Sequence, residues 1–312
     1  MRPASSPTPQ GCMSITSSAT PRGHRLAGGF WIVKARGPCQ HAPMVIEDPD
    51  DPRVADYRAA GRGRADGLFL CEGRLVVRRL LGGSRYRVRS VLATAPVLED
   101  LRDALGPAPP PVFVATTAVI RSVFGFNFHR GCLALGERPE QPASPESVIE
   151  SPGPRMMVGL DEVTDPDNVG AIFRNAAAFG VAGVLLSAGC ADPLYRKTIR
   201  VSMGGTLSTP FARTEWAATL EALRRAGYTL VALSPDPDAE AIATAAERLV
   251  SRRLAVIVGA EGPGLGEQSR AAADLRVRIP MAPGVDSLNV STACGIALHR
   301  LAGSGIMGGG PA

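Results

Sequence analysis

The 312-residue sequence predicts an α/β protein, with a small N-terminal α/β domain and a larger C-terminal domain built on a parallel sheet. Three observations carry that expectation. Short apolar runs alternate with helix-period segments from residue 51 onward. Residues 137–154 hold Pro139, Pro142, Pro145, Pro152 and Pro154 with few apolar side chains, which reads as a semi-rigid, exposed linker. Beyond it, apolar strands end in polar or glycine-rich turns and lead into helices. The expected division is a disordered extension over 1–45, the small domain over 46–138, the linker over 139–154, the large domain over 155–305 and a flexible tail over 306–312.

Composition is that of an ordinary folded chain, 45% hydrophobic and 20% charged, with a formal net charge of +5. Arg2, Arg22, Arg25, Lys34 and Arg36, all before the first acidic residue Glu47, account for that whole excess, so total charge does not argue for nucleic acid. Cys12, Cys39, Cys71, Cys132, Cys190 and Cys294 show no metal-ligand spacing and suit reduced, buried thiols in a cytoplasmic protein; no metal is expected. No apolar stretch reaches the roughly 18–20 residues that span a bilayer. Residues 1–45 lack a periodic apolar face and read as disordered. Their want of acidic residues also fits an organelle transit peptide, or a start upstream of a true beginning at Met44.

In the small domain, Asp51 before Pro52 is a helix start, a capping carboxylate followed by proline at the first helical position, and predicts a short helix over 52–60. Leu68-Phe-Leu70 leads into a helix over 72–81, where Leu75, Val76, Arg79 and Leu80 have helical spacing. Residues 86–93 alternate as a strand, with Tyr86, Val88, Ser90 and Leu92 on one face and Arg87, Arg89 and Val91 on the other. A helix over 97–105, a strand over 111–115, a helix over 117–124 and a strand over 131–135 complete the domain. Arginines crowd the segment from Arg53 to Arg89. Planar guanidinium groups suit phosphates, so RNA contact is expected, with Arg62, Arg64, Arg87 and Arg89 as candidates; a solvated Arg-rich surface is the alternative. Phe126, Phe128 and His129 are either base-stacking rings or core.

In the large domain, residues 156–160 read as a buried strand, 161–170 as a polar turn with Asn168 and Gly170, and 171–179 as a helix stopped at Gly180. Arg174 then lies one turn into that helix, beside free amides and a positive dipole end, a natural phosphate or oxyanion site; a surface salt bridge is the plain alternative. A strand over 184–186 precedes a helix with Arg196, Lys197 and Arg200, cations for a nucleic-acid backbone or for solvent. The strand over 229–233 ends in Ser234-Pro235-Asp236, at the strand end where ligands gather in open α/β sheets. The strand over 254–258 opens into Gly259-Ala-Glu261-Gly262-Pro-Gly264-Leu-Gly266, where glycines let a ligand approach the backbone. The spacing is not that of a dinucleotide or triphosphate loop. Glu261 would repel a bound phosphate and suits a ligand with hydroxyls or a positive centre. The strand over 275–279 stops at Pro280, and a loop leads through Asp286-Ser287-Leu288-Asn289 into a helix ending near Arg300. Ser287 or Asn289 either caps that helix or serves the chemistry.

Asn168-Val-Gly-Ala-Ile-Phe-Arg174-Asn-Ala, Val258-Gly-Ala-Glu261-Gly-Pro-Gly264-Leu, and Ile279-Pro-Met281 with Ser287-Leu-Asn289-Val resemble, in order and spacing, the three motifs of the SpoU (TrmH-type) RNA ribose 2′-O-methyltransferases. The likeness covers residues 155–305, and residues 46–138 resemble the small substrate-binding domain that many members carry. The resemblance implies S-adenosylmethionine as methyl donor, a SPOUT-like sheet with a C-terminal trefoil knot, an RNA substrate, and a homodimer with its active site near the subunit interface. It implies that Gly259, Ile279 and Leu288 hold the cofactor through their backbone, with Met281, Leu233 and Gly262 as further walls. Arg174 is implied as phosphate anchor or as base for the 2′-hydroxyl, the anchor being easier for a guanidinium that stays protonated below about pH 12. Ser287 and Asn289 are implied to orient the hydroxyl and the arginine, Asn168 to brace loop or substrate, and Glu261 to contact the cofactor or order its loop. Arg196 and Lys197 are the RNA contacts expected in this domain. The extra domain favours ribosomal over transfer RNA by widening the gripping surface. A non-catalytic RNA-binding protein and a generic nucleotide-binding α/β protein are the readings from other classes.

Overall fold

The computed structural model describes residues 43–63, 66–124, 131–151 and 156–302. Two sheets organise them. The first has the order β1-β4-β3-β5-β2, with β1 (Met44–Ile46), β2 (Leu68–Glu72), β3 (Val88–Ala93), β4 (Val112–Ala115) and β5 (Cys132–Glu137). β5 runs antiparallel to β2 and β3, and the remaining pairs are parallel. Its helices are α1 (Ala55–Gly61), α2 (Arg74–Leu81), α3 (Ala95–Asp100), α4 (Arg102–Leu105) and α5 (Thr117–Phe124). Asp51 accepts from the Arg53 amide at 2.9 Å, and Pro52 opens the 3-10 turn that runs into α1, as the sequence predicts.

Several expectations need correction here. Met44 and Val45, assigned to the disordered extension, belong to β1, because the Met-Val-Ile run pairs with β4 and buries Ile46. Residues 1–42, with Cys12 and Cys39, lie outside the described residues, as do Arg64, the 126–130 aromatics and the 306–312 tail. Leu68-Phe-Leu70 is itself part of a strand, so the helix starts at Arg74 rather than 72. In β3 the pairing jumps from Val88↔Gly136 to Ser90↔Leu135, a bulge that leaves Arg89 without a partner across the ladder. The alternation therefore slips by one residue. Val88 packs with Val91 and Ala93, while Leu92 joins the core on the other face.

The second sheet is wholly parallel. Its order is β10 (Glu240–Ala241), β12 (Leu275–Arg278), β9 (Tyr228–Leu233), β11 (Arg253–Gly259), β6 (Met156–Asp161), β7 (Gly183–Leu186) and β8 (Phe211–Arg213). Helices cover both faces, which is why β6, β9 and β11 are nearly continuous apolar runs. They are α6 (Pro145–Ile149), α7 (Pro166–Ala178), α8 (Arg196–Val201), α9 (Gly205–Ser208), α10 (Trp216–Arg225), α11 (Ile242–Leu249), α12 (Glu267–Ala272) and α13 (Val290–Ala302). One core gathers Phe173, Val256 and Leu298, and the opposite one Trp216, Leu220 and Ile257. No described helix is long and apolar enough to cross a membrane.

Two starts differ from the sequence reading. α7 begins at Pro166, not at 171, because the Asp165 carboxylate accepts from the Asp167 amide at 3.0 Å. Asn168 is thus in its first turn and Arg174 in its third. The stretch expected to be an exposed linker holds α6, capped by Ser144, and its Val148 and Ile149 are buried in the core of the second sheet. The two sheets also share a core: Leu194, Ile199 and Leu207 pack with Phe69, Val77 and Leu80.

Candidate active site

The carboxyl ends of β9, β11 and β12 open onto a cavity of about 430 Å³. Leu233, Gly259, Gly262, Ile279, Met281 and Leu288, expected as cofactor contacts, all line it, together with Glu261, Ser287 and Asn289. Asp236 and Arg270 complete its polar wall. A mostly apolar concavity with a few convergent polar groups, at the carboxyl edge of a parallel sheet, is the usual form of a small-molecule site.

The glycine-rich wall is shaped by its own backbone. The chain leaves β11 at Gly259 and doubles back so that the Gly264 amide donates to the Ala260 carbonyl at 3.0 Å. A Cβ at Gly259 would stand 2.3 Å from the Gly264 carbonyl, so no larger residue fits there. The far end of the loop is tied to β6, where Asp161 Oδ2 accepts from the Gly266 amide at 2.8 Å and from Ser269 Oγ at 2.6 Å.

Side-chain amides join the three polar stretches. Asn289 Oδ1 accepts from the Ser291 amide at 2.9 Å, from Ser291 Oγ at 2.6 Å and from the Thr292 amide at 3.3 Å, capping α13. With its oxygen so committed, Asn289 must present Nδ2 outward, and it donates to Asn168 Oδ1 at 2.8 Å. That contact turns Asn168 Nδ2 toward the Glu261 carboxylate, to which it donates. The sequence offered capping or chemistry for Asn289, and one side chain does the capping while also fixing the relay. Asn168 is buried and Glu261 exposed at the cavity.

Arg174 is not brought to this cavity. Asn168 and Asn175, seven residues apart, share the face of α7 toward α13, and Asn175 Nδ2 donates to the Ser291 carbonyl at 2.9 Å. Arg174 is rotated about 100° from Asn175 and lies exposed, with no hydrogen-bond or ion-pair partner among the described residues.

Of the expected RNA contacts, Arg62, Arg87 and Arg89 are exposed or largely so, Arg87 and Arg89 lying 3.5 and 3.7 Å from Glu137. Lys197 pairs with Asp167 at 2.9 Å, a hydrogen bond that raises its pKa. Arg196 is different. It reaches back across the sheet boundary to buried Glu72 at 3.1 Å, so a cation read as RNA-facing instead joins the two sheets. Arg138 with Asp192, Arg79 with the Met203 carbonyl and Arg85 with the Thr209 carbonyl span the same boundary.

Sequence reasoning passed over Asp161, Ser269 and Trp216, whose indole donates to Ser269 Oγ at 2.8 Å. Nothing local marks them, since their meeting depends on β6 and β11 being neighbours.

Comparison with known proteins is consistent with this geometry. Residues 155–299 match the SpoU rRNA Methylase family. An uncharacterized tRNA/rRNA methyltransferase of Mycobacterium tuberculosis is 40% identical over 284 residues, which span 86% of this chain and 96% of the relative. The 23S rRNA (guanosine-2′-O-)-methyltransferase RlmB of Vibrio cholerae is 38% identical over 146 residues, 46% of this chain and 58% of that protein. Among solved structures, an AdoMet-bound rRNA methyltransferase from Sinorhizobium meliloti aligns with a TM-score of 0.69 and 26% identity, covering 82% of this chain and 96% of that one.

Proposed function

The chain belongs to the SpoU rRNA methylase family, and from that premise we propose that it transfers the methyl group of S-adenosylmethionine to a ribose 2′-hydroxyl, with ribosomal RNA as substrate. The observation that carries this reading is the relay from Asn289 through Asn168 to Glu261, which ties the buried Asn168 stretch to the two distant stretches that line one cavity. The named relatives supply the chemistry: one is a ribosomal guanosine-2′-O-methyltransferase, and another was solved with AdoMet bound.

The cavity fits such a cofactor. Leu233, Ile279, Met281 and Leu288 offer apolar walls for a base, the glycine loop offers backbone groups, and Asp236 and Glu261 suit a ligand carrying positive centres and hydroxyls. When bound, S-adenosylmethionine supplies a methyl already activated by its sulfonium, so the chain has to orient rather than activate it. Ser287, exposed where it lines the cavity, is the residue we assign to hold the incoming hydroxyl. Asn168 and Asn289 keep the loop carrying Glu261 in register. Arg174, pointing away from its own cavity, serves by anchoring a substrate phosphate, and a homodimer would let it do so at the partner's cavity. A groove of about 470 Å³ between α7 and α13, lined by Ala171, Asn175, Gly295 and Ile296 beside Phe179, supports a second copy docking there. The exposed Arg62, Arg87 and Arg89 extend the RNA surface onto the small sheet. The trefoil knot belongs to the same reading, with β12 seated between β10 and β9 before α13 returns over β11 and α7. The expected compartment is the cytoplasm.

Transfer RNA is the second reading, favoured by the mixed tRNA/rRNA name of the mycobacterial relative. Incubating the purified chain with labelled S-adenosylmethionine and separate ribosomal and transfer RNA pools decides between them. Label in ribosomal RNA, mapped to a ribose by reverse transcription at limiting nucleotide, is the expected result. Label confined to transfer RNA selects the second reading; label on a base, or none, overturns both.

A further inference from the structure

We infer that Asp161, at the end of β6, is a positioning residue for the cofactor, acting on the glycine-rich loop through Gly266 and Ser269. The inference rests on the methyltransferase reading above and adds to it a residue outside the three motif stretches. Asp161 stands at both ends of the loop. Its backbone is the register partner of Gly259, where the loop leaves β11. Its carboxylate accepts from the Gly266 amide, where the loop enters α12. The residues between, Gly259 to Leu265, line the cavity continuously. One residue therefore sets the span that the loop has to close.

The carboxylate is itself held. Asp161 is 5% exposed, Ser269 1% and Trp216 7%. Ser269 Oγ has one proton, given to Asp161, and a lone pair that receives the Trp216 indole N–H at 2.8 Å. Trp216 in turn rests on β6, where a Cβ at Gly159 would come within 3.0 Å of its ring. A second sheet residue thus supports the arrangement from below. Space around Gly266 is equally tight, a Cβ there lying 3.0 Å from Asp161 Oδ2. Arg270, on the same short helix as Ser269, also lines the cavity and donates to the Leu265 carbonyl. Displacing Ser269 therefore moves two walls together.

A residue that merely caps α12 would lower stability and leave cofactor affinity alone. A positioning residue does the reverse at temperatures well below melting. The test uses the full chain with Asp161→Asn, Ser269→Ala and the double variant, reading S-adenosylhomocysteine affinity by calorimetry, RNA affinity by anisotropy, and kcat at saturating cofactor. Asparagine keeps the volume and can leave its amide oxygen facing both donors, so it strips the negative charge from the acceptor that Gly266 and Ser269 share. Cofactor affinity is expected to fall roughly tenfold in Asp161→Asn, as charge-assisted hydrogen bonds give way to neutral ones, and several-fold in Ser269→Ala. RNA affinity and kcat should stay within about threefold, and the double variant should match Asp161→Asn because the two act as one unit. Unchanged cofactor affinity in either folded variant overturns the inference, as does a parallel loss of RNA and cofactor binding. Should Asp161→Asn fail to fold, Ser269→Ala alone decides the matter by the same measurements. If the unaltered chain gives no cofactor heat, the methyltransferase reading fails instead. Amide exchange over residues 259–266 then still decides positioning, with faster exchange in the variants expected and unchanged exchange overturning it.

Discussion

Asn289, at the start of α13, and Asn168, in the first turn of α7, lie 121 residues apart in the chain and meet through a side-chain hydrogen bond of 2.8 Å. Because Asn289 Oδ1 is spent on the helix cap, the direction of every donor in the relay follows from that cap. Replacing Asn168 by Ala strands the Asn289 amide and frees the Glu261 carboxylate. Both of those side chains are exposed, so what is lost is orientation rather than buried pairing, and single-turnover methyl transfer is expected to fall about tenfold, the equivalent of one charge-assisted hydrogen bond. Asn168→Asp should do worse, since it sets a second carboxylate against Glu261.

Arg174→Ala should abolish turnover, by about 100-fold or more, while S-adenosylhomocysteine binding by calorimetry stays normal. Arg174→Lys should recover only part of the rate, because a point charge cannot reproduce the planar two-pronged grip on phosphate. A near-normal rate in Arg174→Ala would remove this residue from the mechanism.

Gly259→Ala puts a methyl group into the backbone of Gly264. The loop has to shift to admit it, and cofactor affinity is expected to drop by at least about tenfold, the effect of roughly 1.4 kcal/mol. Thermal unfolding reports the same strain as a lowered midpoint.

Glu72 is buried beneath Arg196, so Arg196→Ala leaves a carboxylate without its ion-pair partner between the sheets. A loss of about 3 kcal/mol in urea unfolding is expected. Replacing both residues, Glu72→Leu with Arg196→Met, should return most of it. If Arg196 served RNA alone, the single variant would weaken RNA binding and leave stability untouched.

Burial pushes the Cys294 thiol up to about 12 from an ordinary 9.0, and Cys132 to about 12 likewise. A raised acid pKa means the folded state holds its proton where the unfolded chain releases it. Stability from these groups is complete below about pH 9 and drains away as pH climbs toward 12. At pH 8, peptide mapping after native alkylation should show Cys71, Cys132, Cys190 and Cys294 unmodified, with labelling only after denaturant.

Much of the cavity is legible in the sequence alone, because glycine and polar residues directly after apolar runs mark where a sheet ends and a ligand can enter. Leu233, Gly259, Ile279 and Leu288 surround one space for that reason. The misplacement of Arg174 has an equally local cause. Asp165-Pro166 is the same start signal as Asp51-Pro52, and equal weight on both puts Arg174 in the third turn of α7. Ser144-Pro145 repeats the signal inside the stretch taken for an exposed linker. Arg196 and Asp161 are not legible in this way. Their partners, Glu72 and Ser269, are 124 and 108 residues distant, and no count of neighbouring charge can find them. The bulge at Arg89 likewise arises from pairing with β5, which the alternation of β3 alone does not contain.

Placing the cap of α13 inside the relay ties the enzyme to the order in which a ribosome makes it. Most of the cavity wall is translated before Ser287, Leu288 and Asn289. A nascent polypeptide stalled ahead of Asn289 carries its arginine-rich sheet yet has no oriented amide to steady Glu261. The order of synthesis thus delivers the glycine-rich loop before the amide that orients Asn168 against it.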